Sequence, residues 1–166
     1  MGVLNITPDS FSDGGRLFDG EAVRLDAVRA QASGMVASGA AVLDIGGESS
    51  RPGADAVSSQ EEQRRVLPVL EALSDLDVVL SVDTYHAETV RAAIRHGAGM
   101  INDITAGRDA DVVTAVADSE VAYALMHMQG SPQTMQTAPT YTDVVAEVSG
   151  YLTERFELCQ NAGIKE

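Results

Sequence analysis

The chain has 166 residues, 45% of them apolar, and a formal charge of −14, which suffices for one domain with a real core and falls short of two comfortable ones. No apolar run approaches the ~18 residues of a spanning helix, and no basic segment followed by an apolar run opens the chain, so a cytoplasmic protein without membrane span or secretory signal is expected. The acid excess argues strongly against a nucleic-acid partner, and a single cysteine, Cys159, rules out an internal disulfide and leaves a thiolate metal site implausible.

Taken in chain order, short apolar runs alternate with longer segments of helical spacing. Val3, Leu4 and Ile6 read as a buried strand that breaks at Asn5 into a loop rich in carboxylates, hydroxyls and turn residues, with Pro8, Gly14 and Gly15 forbidding an immediate helix. Glu21 to Ser38 follows as a helix with Leu25, Val28, Ala32, Met35 and Val36 on one face, ending near Gly39. The second strand is Ala41 to Ile45, and Gly46-Gly47-Glu48-Ser49-Ser50-Arg51-Pro52-Gly53 is the loop after it. Ser59 with Glu62 three residues on reads as a capping box, and Pro68 is expected to kink the helix they open.

Strand Val78 to Val82, a helix from His86 to His96 and strand Met100 to Ile101 come next, closed by Asn102-Asp103. A weaker helix over Ala110 to Ala117, strand Val121 to Met126 and a last helix over Asp143 to Ala162 complete five units. In that last helix Cys159 shares a face with Val148, Leu152 and Phe156 and reads as a small buried apolar residue.

Strict alternation with strands apolar on both faces predicts a parallel sheet covered by helices, either doubly wound or a (β/α)8 barrel. Both architectures collect functional groups at the carboxyl ends of their strands. Asn5, then Asp44 with Glu48 and Arg51, then Asp83, Asn102, and His127 with Gln129 stand at or just after five successive strand ends. Carboxylates and carboxamides so placed suit a flat heterocycle with ring N–H, amino and carbonyl groups: Asp83 accepts, Asn102 both donates and accepts, and Met126 can lie against a ring face.

Simpler readings stand beside these. Asp83-Thr84 can cap the third helix, Asn102-Asp103 can serve turn amides, and His127 can be an ordinary hydrogen-bonded histidine. The chain lacks GxGxxG, GxxxxGK[ST], HExxH and a His-rich metal cage, so dinucleotide, P-loop and zinc-protease readings fail. Arg51, the one basic residue in its loop, is suited to grip a carboxylate or phosphate through paired N–H bonds.

With these residues assembled, the chain resembles the dihydropteroate synthase family of pterin-binding TIM barrels. The resemblance runs over all 166 residues: MGVLNITPDSFSDGG at the start, DIGGESSRPGA at 44–54, SVDT at 81–84, INDI at 101–104 and MHMQGSPQTMQ at 126–136. It implies a (β/α)8 barrel that joins p-aminobenzoate to (7,8-dihydropterin-6-yl)methyl diphosphate, with Mg2+ assisting diphosphate release. On it, Asn5 helps bind the magnesium and diphosphate, Asp83 and Asn102 read the pterin, and Asp44, Ile104 and Met126 line its pocket. Ser50, Arg51 and Pro52 shape the p-aminobenzoate site, while Phe11 and Asp13 contribute from the first loop, Asp13 by stabilising developing positive charge. Asp13 and Arg51 are thus the implied catalytic residues. The resemblance also implies a homodimer, and its family is the target of the sulfonamides.

The family continues with a sixth strand bearing a DPGxGFGK-like segment, a later lysine and an Arg-x-His, none of which occurs in these residues. One truncated pterin-binding domain over 1–166 is therefore expected, with unpaired edges at its first and fifth strands and exposed apolar surface. A catalytically inactive pterin-binding fragment and a corrinoid-linked pterin methyltransferase domain are the alternatives.

Overall fold

The computed structural model describes residues 1–7, 17, 22–49 and 56–165. Over them run β1 (Gly2–Asn5), α1 (Leu25–Ala37), β2 (Val42–Gly46), α2 (Ser59–Leu73), β3 (Val79–Asp83), α3 (Ala87–Arg95), β4 (Met100–Asp103), α4 (Ala110–Ala117), β5 (Ala122–Leu125) and α5 (Val144–Asn161). The strands are all parallel and lie side by side in chain order. A doubly wound sheet reverses its strand order at a switch point, whereas uninterrupted succession is the winding of a (β/α)8 barrel. The sheet is open, a partial α/β barrel with β1 and β5 at its edges among the described residues.

Strand register sorts the side chains into two faces, because successive residues of a strand point to opposite sides. Leu4, Ile45, Val82 and Ile101 pair across β1 to β4, and all four are fully buried. They meet Val28 and Ala32 of α1, Val66, Val69, Leu70 and Leu73 of α2, Val90 and Ala93 of α3, and Val112 and Val116 of α4. Each valine, leucine or isoleucine among them contributes about 1.5–3 kcal/mol by leaving water, so this layer between sheet and helices fixes the strands. One residue along, Asn5, Gly46, Asp83 and Asn102 pair in the same way and face the other side. The register thus aligns four strand ends at one level.

Several element ends differ from the sequence reading. Ser58, rather than Ser59, caps α2, its hydroxyl accepting from the Glu61 amide at 3.3 Å. That one-residue shift frees Glu62 from a capping role and turns it inward, where it is fully buried. The helix continues through Pro68 to Leu73. Asn102 and Asp103 belong to β4 instead of the turn after it. α1 opens at Leu25, with Arg24 in the cap position.

The short helix-to-strand links hold: Gly39 and Gly97, at φ 94° and 86°, supply the left-handed residue that ends α1 and α3. On α5, Cys159 is buried as expected, yet Phe156 on the same face is 44% exposed and Val145 72% exposed. Phe156, Leu152, Tyr123 and Leu125 border an open hollow beside β5, so the apolar stripe of α5 is only half covered. Among the described residues no helix is long and apolar enough to cross a membrane.

Candidate functional site

The aligned polar row builds a site at the carboxyl ends of β1 to β4. Asp44, one step below the row on β2, is 5% exposed and both of its oxygens are engaged. Ser81 of β3 donates to Oδ1 at 2.6 Å, and Asn102 of β4 donates through Nδ2 to Oδ2 at 3.0 Å. Asn102 is thereby oriented with its carbonyl oxygen still available as an acceptor. Between Asn5 and Asp83 stands Gly46. A Cβ there would lie 3.7 Å from Asn5 Oδ1 and 3.8 Å from Asp83 Oδ2, so the missing side chain leaves room between those two groups.

Asp83 keeps some exposed surface, but it is enclosed by protein and by like charge. Burial first, then the neighbouring Asp44, Glu62, Asp103 and Glu48, raise its pKa from 3.8 to about 7. A carboxyl poised there changes charge near neutrality. It opens onto a cleft whose walls include Ile104, Tyr85, Glu48 and Glu62. Ile104, predicted as a pocket residue, is therefore beside Asp83. Met126 follows β5, two residues past Ala124, which pairs with Asn102, and its amide donates to the Asp103 carbonyl at 3.4 Å.

Two of the strand-end groups have other work. Gln129 clasps Thr140 from both sides, donating to its carbonyl at 2.7 Å and accepting from its amide at 3.0 Å. His127 packs edge-on against Tyr151 at 5.0 Å and tilted against Tyr141 at 5.9 Å. Both secure the segment between β5 and α5. For Asn102-Asp103 the two readings divide: Asn102 faces the site, while Asp103 accepts from the amides of Thr105 and Gly107 and from the hydroxyls of Thr105 and Tyr123. Phe11, Asp13, Ser50, Arg51 and Pro52 lie outside the described residues.

The sequence reading missed a second cluster on the same cleft. One ligand atom each from Glu48, Glu62 and His86 lie within 4.8 Å of one another, a group that could hold a metal ion. Glu48 comes from the loop after β2, Glu62 from α2 and His86 from the start of α3, so no local spacing announces the trio. Burial raises the Glu62 pKa, against the lowering influence of the hydroxyls of Thr89 and Thr84 and of His86. Tyr85, partly buried and donating to Glu48, has its phenol pushed up as well.

Comparison with known proteins gives this geometry a context. The chain is 47% identical over 165 residues to the dihydropteroate synthase of Escherichia coli K12, covering 99% of this chain and 57% of that protein. Among solved structures it superposes with TM-score 0.92 on a Yersinia pestis dihydropteroate synthase in a sulfonamide drug complex, at 44% identity and covering 99% of this chain and 58% of the other. The Burkholderia cenocepacia dihydropteroate synthase complexed with 7,8-dihydropteroate matches at TM-score 0.82 and 44% identity, over 99% of this chain and 54% of that one. The chain therefore spans a little over half the length of the relatives it matches. Strand succession, the polar row across β1 to β4 and a family match from residue 1 to residue 166 agree, and the chain belongs to the pterin binding enzyme family.

Proposed function

We propose that this chain forms a pterin-binding domain over residues 1–166 and supplies the pterin and p-aminobenzoate sites of a dihydropteroate synthase. The reaction would join the arylamine of p-aminobenzoate to (7,8-dihydropterin-6-yl)methyl diphosphate and release diphosphate. The observation that carries this reading is the set Asp44, Asp83 and Asn102 at adjacent strand ends, with Asn102 held by Asp44 at 3.0 Å. Asp83 accepts from ring N–H or amino donors, Asn102 offers its free carbonyl oxygen, and Ile104 with Met126 forms apolar wall. The names of the relatives and the product complex of the Burkholderia cenocepacia structure support the same chemistry.

The remaining roles rest on the family pattern. Arg51 with Ser50 and Pro52 positions p-aminobenzoate, its guanidinium matching a carboxylate through two parallel N–H bonds. Phe11 contributes to the p-aminobenzoate site from the first loop. Asp13 stands against the positive charge that grows on the pterin methylene as its bond to diphosphate breaks, before the arylamine nitrogen attacks.

Asn5 fits magnesium: its carboxamide oxygen is a hard donor beside the space left by Gly46, and Mg2+ is commonly held by one or two protein oxygens plus substrate phosphates. When bound, the ion would neutralise the departing diphosphate. A fold with a chain charge of −14 has few groups of its own for that task.

Diphosphate release dependent on p-aminobenzoate, measured on the full natural chain, tests the assignment directly. Asp13→Ala is expected to lower kcat by about 10²–10³-fold, the usual scale for removing one transition-state electrostatic partner, with pterin affinity nearly unchanged. Unaltered turnover would remove Asp13 from the chemistry. Pterin binding without any diphosphate release would leave a binding domain and refute the synthase reading.

A further inference from the structure

The cluster beside the pterin cleft has an arrangement that hydrogen bonding alone leaves incomplete. Each of its two carboxylates has one oxygen fixed by a hydroxyl: Tyr85 donates to Glu48 Oε1 at 2.7 Å, and Thr84 donates to Glu62 Oε2 at 2.7 Å. Thr84 is itself held, accepting from the His86 amide at 3.1 Å. The other oxygen of Glu48, Oε2, lies 3.3 Å from His86 Nε2.

The other oxygen of Glu62, Oε1, is sealed from solvent with no hydrogen-bond partner, on a residue that is fully buried. The Thr89 hydroxyl stands close enough to Glu62 to lower its pKa, more than Thr84 does, but it donates to the Ser59 carbonyl at 3.4 Å and leaves Oε1 without a bond. A buried carboxylate oxygen left bare is costly, and native structures avoid it.

We propose that Glu48, Glu62 and His86 bind a divalent transition-metal ion of the Zn2+ class, a site separate from the magnesium position at Asn5. Two carboxylates and one imidazole match the ligand preferences of Zn2+ and its neighbours, whereas Mg2+ and Ca2+ prefer oxygen alone. Ligands around a tetrahedral zinc stand about 3.4 Å apart, and Glu48 Oε2 and His86 Nε2 are already at 3.3 Å. The ion's two charges balance the two carboxylates and engage Oε1 of Glu62. Tyr85 and Thr84 then act as the outer partners that aim metal-binding carboxylates. The bound ion links the loop after β2, α2 and the start of α3, three elements that border the cleft.

Zn2+ binding by the full natural chain, followed by equilibrium dialysis with Co2+ as a spectroscopic substitute, tests the site without pterin, diphosphate or turnover. One ion per chain is expected, with absorption bands of a Co2+ bound to nitrogen and oxygen. Glu48→Gln and His86→Gln, both at partly exposed positions, should each weaken binding about tenfold or more. Glu62→Gln should do the same if it folds, and Asn5→Ala should leave binding intact. Wild-type affinity in both Glu48→Gln and His86→Gln, no binding by the natural chain, or loss of binding in Asn5→Ala would each overturn the proposal. Since no pterin enters the assay, its outcome is independent of the synthase reading.

Discussion

On the proposed pterin site, Asp83→Asn is expected to bind pterin about 100-fold more weakly than the natural chain while folding more stably at pH 8. The two effects share one cause. A carboxylate accepting two N–H groups gains about 1.5–3 kcal/mol from each charge-assisted bond, and the amide presents one oxygen and a competing donor, so a loss of about 100-fold corresponds to about 3 kcal/mol. In the free protein the same carboxylate is held among Asp44, Glu62, Asp103 and Glu48, with its pKa raised from 3.8 to about 7.

Folding therefore takes up a proton at Asp83 between those values, and stability falls as pH rises from about 4 through 7, then levels off. Asparagine, which resembles the protonated acid, removes that fall. The gap between variant and natural chain should be small near pH 4, grow to a few kcal/mol by pH 8 and stay there. Denaturant unfolding of both proteins across this range reads it directly.

Binding runs in the opposite direction. Pterin affinity of the natural chain should rise with pH through about 7 as Asp83 ionises, and Asp83→Asn should show no such rise. Calorimetry with a pterin lacking the diphosphate group, in the presence of a metal chelator, isolates the effect from any bound cation. A flat affinity profile in the natural chain, or equal affinity in Asp83→Asn, would remove Asp83 from the proposed pterin site.

Asp83 illustrates what a sequence reveals about such a site. Its position, the last residue of an apolar run before a helix, identifies it as a strand-end group, and the same logic finds Asn5, Asp44 and Asn102. Their common level on the sheet depends on the register Asn5, Gly46, Asp83, Asn102, which local patterns do not encode. The alternation of strands and helices was legible for a related reason: each apolar stripe is a local pattern. The order of the strands is a tertiary property: local patterns left the barrel and the doubly wound sheet both open, the family resemblance implied the barrel, and the strand succession of the folded chain agrees with it.

Glu62 marks the limit. By spacing it reads as the acidic partner of a helix cap, and only the approach of Thr84, 22 residues away, makes it a buried acceptor. Glu48, Tyr85 and His86 likewise acquire their roles from contacts 37 or 38 residues apart in sequence. Gln129, a polar residue after a strand, fastens its own loop to Thr140, a contact that its position at a strand end does not announce.

Asp103→Ala is expected to cost about 3–5 kcal/mol of stability, the scale at which removing one member of a buried charged network unfolds marginal domains. Asp103 is fully buried and gathers four donors: the Thr105 amide, the Thr105 hydroxyl and the Gly107 amide at 2.7 Å each, and the Tyr123 hydroxyl at 2.6 Å. Alanine leaves these donors facing a void, and the buried ones lose their desolvation compensation at about 1–3 kcal/mol each. The turn they shape is already strained, since Ala106 sits at φ 56°, a conformation that costs a non-glycine residue about 1–2 kcal/mol. Arg155 of α5 completes the junction by donating to the carbonyls of Ala106 and Gly107, so the damage should reach from β4 to the last helix. Asp103→Asn separates charge from shape: its amide group would meet an N–H or O–H donor on at least one side, so most of the loss should persist. Chemical denaturation of the three proteins at pH 7 provides the comparison. If Asp103→Asn matches the natural chain, neutral hydrogen bonding suffices at this junction. If Asp103→Ala also matches it, the four short contacts carry no net stability and the β4–α5 junction is held by apolar packing.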